Sequence, residues 1–340
     1  MKKATLVVPP SYQQNRLFDL TNSHLNRDNC LAPFAELKAR FAKQGFDLST
    51  QDINANTVSD CVIYLEMPDV LPAPENVNKS FLLLFETELI LPQNWDFEKH
   101  RNFSKIFTWN DSLVDNKKYF KMNWSHVFPD KIEYQPSEKT KFCCLIAGNK
   151  ILHHELELYS KRLEAIRWFE KQHPDEFDLY GIGWNEIKLP GKSYFERYYL
   201  LKLIKKVLNL LAPRFSSYRG KVADKRQVLK QYRYSICYEN VRDLPGYITE
   251  KIFDCFFAAC IPVYWGPANI TSHIPAECFI DKQKFNTYEE LYSYLASISE
   301  SEYVCYIDAA AQYLRSTQAL PFRAAAFVDT IVANTIGQNS

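Results

Sequence analysis

Chemistry-bearing side chains are densest between residues 232 and 267. Residues 233–238 read as an apolar strand, with Glu239 and Asn240 directly after it, and the loop 241–246 leads to Tyr247, Ile248, Thr249, Glu250 and Lys251. Ile252, Phe253, Phe256, Phe257 and Cys260 then recur at helical spacing and predict a helix buried on one face. Thr249 suits the N-cap, which puts Glu250 and Lys251 in the first turn. A carboxylate there favours the positive end of the helix dipole, whereas an ammonium opposes it by a few tenths to about 1 kcal/mol. Two readings fit that lysine: it joins free N–H groups in receiving an anion such as a phosphate, or it points to solvent. The next strand, Ile261–Trp265, completes a strand–helix–strand unit, which implies parallel, right-handed pairing. Ligands of such sheets sit beyond the carboxyl ends of the strands, where Glu239, Asn240 and the helix start all stand.

A second carboxylate occupies a similar place earlier in the chain. Leu83-Leu84-Phe85 is followed by Glu86, Thr87 and Glu88, so Glu86 emerges directly from an apolar strand. Apolar neighbours raise a carboxyl pKa toward a range useful for general base work. The elements that must hold these groups alternate throughout. Short buried strands are predicted at 4–8, 60–65, 81–85 and 104–108, and a helix at 32–44 carries Phe34, Leu37 and Phe41. Residues 127–138, polar with two prolines, read as a linker. A fresh strand at 142–147 opens a second unit, followed by a helix at 155–173 with Leu156, Tyr159, Leu163 and Ile166 on one face, and a strand at 177–180. The helix at 194–211 sets Leu200, Leu203, Ile204 and Val207 against Lys202, Lys205 and Lys206. It suits the surface of its own domain or an anionic membrane face. The pattern is that of α/β layers: domains at 1–135 and 140–320, with 321–340 as a C-terminal helix or tail.

Composition narrows the function classes. The 340 residues carry 41 Lys and Arg against 40 Asp and Glu, a net charge of +1, which lacks the basic excess of a nucleic-acid binder. Glycine is scarce, at 9 residues, where average usage gives about 24. Neither G-x-G-x-x-G nor a Walker A sequence is present, so any phosphate is held without a glycine-rich loop. The opening apolar run is too short for a signal-peptide core and reads as a strand stopped by Pro9 and Pro10. Nine cysteines, an odd number without zinc-site spacing, suggest reduced thiols in a cytoplasm, and no metal site is expected.

Three blocks in order, Tyr-Arg-Tyr-Ser-Ile-Cys-Tyr-Glu-Asn (232–240), Gly-Tyr-Ile-Thr-Glu-Lys-Ile-Phe (246–253) and Ile-Pro-Val-Tyr-Trp-Gly-Pro (261–267), resemble the signature of the α-1,3/4-fucosyltransferases, glycosyltransferase family 10. The resemblance implies a GT-B architecture, two Rossmann-like domains facing a central cleft. It implies GDP-β-L-fucose as donor, an oligosaccharide or glycolipid as acceptor, and transfer with inversion in cell-surface glycan synthesis such as lipopolysaccharide O-antigen. It also assigns roles: Lys251 contacts phosphate, Glu250 accepts from the ribose hydroxyls, and Tyr247 and Asn240 line the donor. Ile146-Ala147-Gly148-Asn149 followed by Tyr159-Ser160-Lys161-Arg162 resembles the family's strand–loop–helix, which makes Arg162 the phosphate-binding arginine. The family's base matches Glu86, ahead of Pro92-Gln93-Asn94-Trp95, with Glu88 in reserve. No Asp-x-Asp motif is present, so protein cations and helix dipoles must support the leaving diphosphate and no cofactor or essential metal is expected. The alternatives are another sugar nucleotide on the same fold, or a carbohydrate-binding protein without turnover.

Overall fold

The computed structural model describes residues 1–186 and 214–337. The helix predicted at 194–211 lies outside the described residues. Two parallel sheets make up the architecture. The first runs in the order β2-β1-β3-β4-β5-β6, from β1 (Lys2–Val7), β2 (Phe46–Thr50), β3 (Cys61–Leu65), β4 (Ser80–Leu84), β5 (Lys105–Thr108) and β6 (Tyr119–Lys121). The second runs β11-β10-β9-β7-β8, from β7 (Lys141–Ile146), β8 (Phe177–Tyr180), β9 (Tyr232–Tyr238), β10 (Ile261–Trp265) and β11 (Ile280–Asp281).

Both sheets bury both faces, which is why their strands read as continuous apolar runs. Along β3 and β4, Ile63, Phe81 and Leu83 join one core with Leu37 and Phe41 of α1 (Ala32–Lys43). Val62, Tyr64, Leu82 and Leu84 alternate into the opposite core with Phe103 and Ile106. In the second unit, α3 (Tyr159–Gln172) covers one face, after the four-residue helix α2 (Phe97–His100) of the first unit. The other face is covered by α5 (Glu250–Phe257), which follows α4 (Lys225–Leu229). Helices α6 (Tyr288–Ser297) and α7 (Glu300–Arg315) close the second core.

The chain crosses between the two units twice, and the crossings lie side by side. His126 donates its N–H to the Phe322 carbonyl at 2.8 Å and pairs with Arg323 as an isolated bridge. Beyond it, Phe128 packs on Phe253 and Phe257, so residues of the polar linker lie against the second unit. Past the second crossing, α8 (Ala324–Thr335) returns to the first unit. Phe327, Val328 and Ile331 are buried there beside α1, and Arg40 pairs with Asp329 at 2.7 Å.

One helix face departs from the sequence reading. Leu163 is 43% exposed, and the buried face of α3 instead runs through Tyr159, Arg162, Ala165, Ile166 and Phe169. A guanidinium takes a core position because strand-end carbonyls wait for it there. Such a break in the apolar pattern is expected at functional sites.

Candidate active site

The carboxyl end of β9 builds one wall of the site. Arg162, 4% exposed, donates from Nη2 to the carbonyls of Tyr238 and Glu239, each at 2.7 Å, and to Asn240 Oδ1 at 3.1 Å. Its guanidinium lies 4.8 Å from the Tyr159 ring centroid. Neither Glu155 nor Glu157 pairs with it; the Glu157 carboxylate accepts from the Ser160 N–H at 2.9 Å instead. With Nη2 committed, Nη1 and Nε remain for a ligand among the described residues. Asn240 passes the chain of contacts on, donating from Nδ2 to the Tyr247 hydroxyl at 3.3 Å.

Glu239, fully buried, gathers the helix start around itself. Its carboxylate accepts from the Thr249 N–H (2.9 Å), the Thr249 hydroxyl (2.7 Å), the Tyr264 hydroxyl (2.9 Å) and the Lys251 ammonium (3.1 Å). Thr249 stands at the N-cap with an extended backbone, but its hydroxyl goes to Glu239 and its side chain does not cap the helix. Of the two readings of Lys251, the solvent-pointing one fails: the ammonium is 20% exposed and tethered to Glu239 and to Thr249 Oγ1 at 2.9 Å. An uncapped helix start with an ammonium beside it suits an anion. Sequence reading placed Glu239 at this edge without a role; its being the hub required three residues, Thr249, Lys251 and Tyr264, spread over 249–264.

Glu250 sits on the outer side of the same turn, with Lys251 at 3.7 Å and Lys225 at 3.8 Å. Burial pushes its carboxyl up, but the two ammoniums prevail and hold it well below the usual carboxylate range. Lys225 also pairs with Asp254 at 2.9 Å and with Asp28 of the first unit at 3.5 Å. That contact ties the first unit to the helix that carries Glu250.

The first unit supplies the facing wall. Glu86 follows β4 and is partly buried, while Glu88 is exposed. Burial raises the Glu86 carboxyl above its ordinary range; Lys150 and Lys251 pull it down and Glu250 raises it. Glu86 thus lies within electrostatic reach of the Lys251 turn. Its Oε2 is buried without a hydrogen-bond partner. A cavity of about 350 Å³ opens between Leu89 and Ile90 of the first unit and residues 149–152 of the second. A further cavity, about 410 Å³, lies at the opposite edge of the second sheet, where Asp178 already pairs with Lys141 and Arg219.

Tyr247 joins the two walls. It is 1% exposed and packs on Trp109 of the first unit at a centroid distance of 4.8 Å. Gly246 before it has φ +82°, and a Cβ there would lie 2.4 Å from the Trp109 carbonyl oxygen. Asp111 fastens the same contact, accepting from Lys121 at 2.6 Å and Asn269 at 2.8 Å and lying 2.8 Å from His273 Nε2. Arg162, Asn240 and Tyr247 are thus linked by hydrogen bonds, Lys251 lies beside Glu250, and Glu86 is within electrostatic reach of both. Among the described residues, no group of three or more His, Cys, Asp or Glu side chains is placed to hold a metal ion. No described helix is long and apolar enough to cross a membrane.

The chain is similar to known fucosyltransferases in sequence and in fold. A stretch of 74 residues is 34% identical to alpha-(1,3)-fucosyltransferase FucT of Helicobacter pylori, covering 22% of this chain and 15% of that protein. Another of 57 residues is 40% identical to 4-galactosyl-N-acetylglucosaminide 3-alpha-L-fucosyltransferase 9 of Mus musculus, covering 16% of each. The matched stretches therefore span less than a fifth of these relatives. Among solved structures, an alpha1,3-fucosyltransferase with GDP-fucose superposes with a TM-score of 0.54 at 15% identity, over 98% of this chain and 90% of the other. Anabaena Alr3699/HepE in complex with UDP and glucose superposes with a TM-score of 0.53 at 11% identity, over 99% and 100%. Both likenesses concern the fold, which is GT-B. The family model for the C-terminal part of glycosyltransferase family 10 (fucosyltransferase) matches residues 136–320, more than half of the chain, and on that match the chain belongs to this family.

Proposed function

We propose that this protein transfers L-fucose from GDP-β-L-fucose to a hydroxyl of an acceptor glycan, inverting the anomeric carbon to give an α-linkage of the 1,3 type. The observation that supports the reading is Lys251 held beside the uncapped start of α5, within electrostatic reach of a Glu86 carboxyl whose Oε2 is buried and unpaired among the described residues. Glu86 takes the proton of the acceptor hydroxyl while that oxygen attacks the anomeric carbon. The bond from that carbon to the diphosphate breaks as the new bond forms, and the electron pair leaves with GDP. Lys251, Arg162 and the helix N–H groups offset the charge that develops there. Glu250 receives the ribose hydroxyls, and Asn240 with Tyr247 lines the donor. In this reading no metal is needed, and excess EDTA is expected to leave the rate unchanged.

The test is a panel of GDP-fucose, GDP-mannose, UDP-galactose and UDP-glucose, followed by calorimetry and by release of nucleotide with water as acceptor. GDP-fucose is expected to bind and turn over alone. A UDP-sugar in its place would leave a GT-B transferase of another specificity. Binding with no turnover in any case would favour a carbohydrate-binding protein. Against that last reading stands the Glu86 carboxyl, since leaving a buried polar atom unpaired is costly and a binder gains nothing from it. The acceptor we assign is a growing cell-surface glycan, such as lipopolysaccharide O-antigen, in the cytoplasm. Nine free cysteines, seven of them buried, suit a reducing compartment. Peripheral contact with the inner membrane through residues 194–211 is tested by flotation with anionic vesicles; failure to co-float removes it.

A further inference from the structure

Strand β4 ends at Leu84, and the backbone beyond it carries Glu86. All four backbone polar groups of Phe85 and Glu86 are bonded to side chains, none to a neighbouring strand. The Phe85 and Glu86 N–H groups donate to the Glu66 carboxylate at 3.1 Å and 2.9 Å. The Phe85 carbonyl accepts from Trp109 Nε1 at 2.8 Å, and the Glu86 carbonyl from Trp95 Nε1 at 3.1 Å and Asn94 Nδ2 at 3.3 Å. Asn94, fully buried, also donates to Glu66 Oε2 at 2.6 Å and accepts from the Met67 N–H at 2.8 Å.

Glu66 reaches this position through an unusual backbone. It follows β3 with φ +69°, in the left-handed region that a glutamate rarely occupies, while its N–H is held by the Leu83 carbonyl at 3.0 Å. Non-glycine residues are kept in that region where the surroundings over-determine them, commonly at functional sites. Three donors converge on its carboxylate, which an acceptor-only group satisfies and an amide does not. No Lys or Arg pairs with it among the described residues. A partly buried carboxylate without a counter-cation is a costly way to build a mere strut.

Resting on the reading of Glu86 as the base, we propose that Glu66 is a positioning residue for catalysis: its carboxylate anchors the Phe85–Glu86 backbone beyond the sheet edge, and its charge strengthens Glu86 as a base. Burial lifts the Glu66 carboxyl to about 7; the hydrogen bonds from Phe85, Glu86 and Asn94 oppose the rise, and the Glu86 charge adds to it. The two carboxyls therefore titrate in coupled steps that belong to the pair, the upper one near neutrality. Other groups acting on Glu86 are Lys150 of the loop after β7, and Lys251 and Glu250 of α5. The nearby phenols of Tyr159 and Tyr247 are held uncharged by burial. His100 lies one step behind, its Nε2 at 2.8 Å from the Asn94 carbonyl, and burial lowers its pKa.

The test compares the full chain with its Glu66→Gln, Glu66→Ala and Glu86→Gln variants. GDP release from GDP-fucose is followed between pH 4.5 and 9, and GDP binding by calorimetry. The wild-type rate is expected to rise in two steps, the upper one near pH 7 and about two- to fivefold, as for a base made modestly stronger. Glu66→Gln keeps the lower step and GDP affinity but loses the upper one, and Glu66→Ala also lowers kcat at every pH. If the alanine variant does not fold, the glutamine variant decides alone. Side-chain 13C titration of Glu86, which needs no substrate, is expected to show the second inflection in the wild type and not in Glu66→Gln. Profiles of Glu66→Gln and wild type that superimpose overturn the proposal. Full activity in Glu86→Gln overturns the base assignment instead, so the two failures are distinct.

Discussion

Lys251→Ala removes the ammonium from the start of α5 and exposes the site to the carboxylate it had been neutralising. At about 4 Å and an effective dielectric of about 20, one charge pair is worth roughly 4 kcal/mol. Part of that is already spent on Glu239, 3.1 Å from the ammonium, and part is returned on desolvating a diphosphate. A net loss of about 2 kcal/mol remains, which weakens GDP binding roughly thirtyfold. The buried Glu239 carboxylate, left facing the phosphates, adds to that loss. Replacing it as well, in Lys251→Ala/Glu239→Gln, is expected to recover several-fold in affinity although the double variant makes fewer contacts. Calorimetry with GDP reads each affinity, and thermal melting checks that the Thr249 turn survives. Thr249 and Tyr264 hold the carboxylate from the other side, so the fold should persist. GDP affinity in Lys251→Ala within threefold of wild type would refute the placement of phosphate at this turn.

Glu86→Gln should leave GDP affinity intact while lowering transfer by about 10²- to 10⁴-fold; single-turnover assays read the drop, and a full rate passes the role to another group such as Glu88. His126 is buried at the domain crossing, its Nε2 unpartnered, and burial lowers it from 6.5 to about 4. Its folded pKa is thus depressed, so its share of stability is complete above pH 6.5 and is lost as pH falls toward 4, by about 3 kcal/mol. His126→Phe should therefore lose less stability than wild type between pH 7.5 and 4.5 in chemical denaturation; parallel losses contradict it. Gly246→Ala sets a Cβ 2.4 Å from the Trp109 oxygen and 2.7 Å from Asp111 Oδ2 at a positive φ. It should cost more than about 1 kcal/mol and weaken GDP binding by displacing Tyr247, whereas an unchanged melting temperature would show that the two walls are not fastened there.

The β9–α5–β10 unit was legible because its signals are contiguous: two apolar runs, a helical repeat and a loop lie within 36 residues, and the strands pair in register from Tyr234–Ile261 to Tyr238–Trp265. Strands β2 and β6 gave little to read. Phe46–Thr50 mixes Asp and Ser into a short run, and Tyr119–Lys121 has three residues, so both exist because a neighbour completes the ladder. Glu86 could be found as a carboxylate leaving an apolar strand. Glu66 could not, since its contact with Phe85 and Glu86 spans about twenty residues and depends on a left-handed turn that nothing in Leu-Glu-Met announces. Arg162 misled the periodicity in the opposite way: a charged residue on the core face shifts the apparent stripe toward Leu163.

The second crossing of the chain bears on the order in which the domains can be completed. The first sheet is made before the second, but its α1 face lacks Phe327, Val328 and Ile331 until the second unit has been made. Those side chains are fully or almost fully buried in the finished protein, so the nascent N-terminal unit carries an uncovered apolar patch throughout synthesis of the second. The second core waits only for α6, α7 and Phe322, all of which precede α8. The unit translated first is therefore the one closed last, and lesions in α8 would strike the wall that carries Glu86 while sparing the one that carries Lys251.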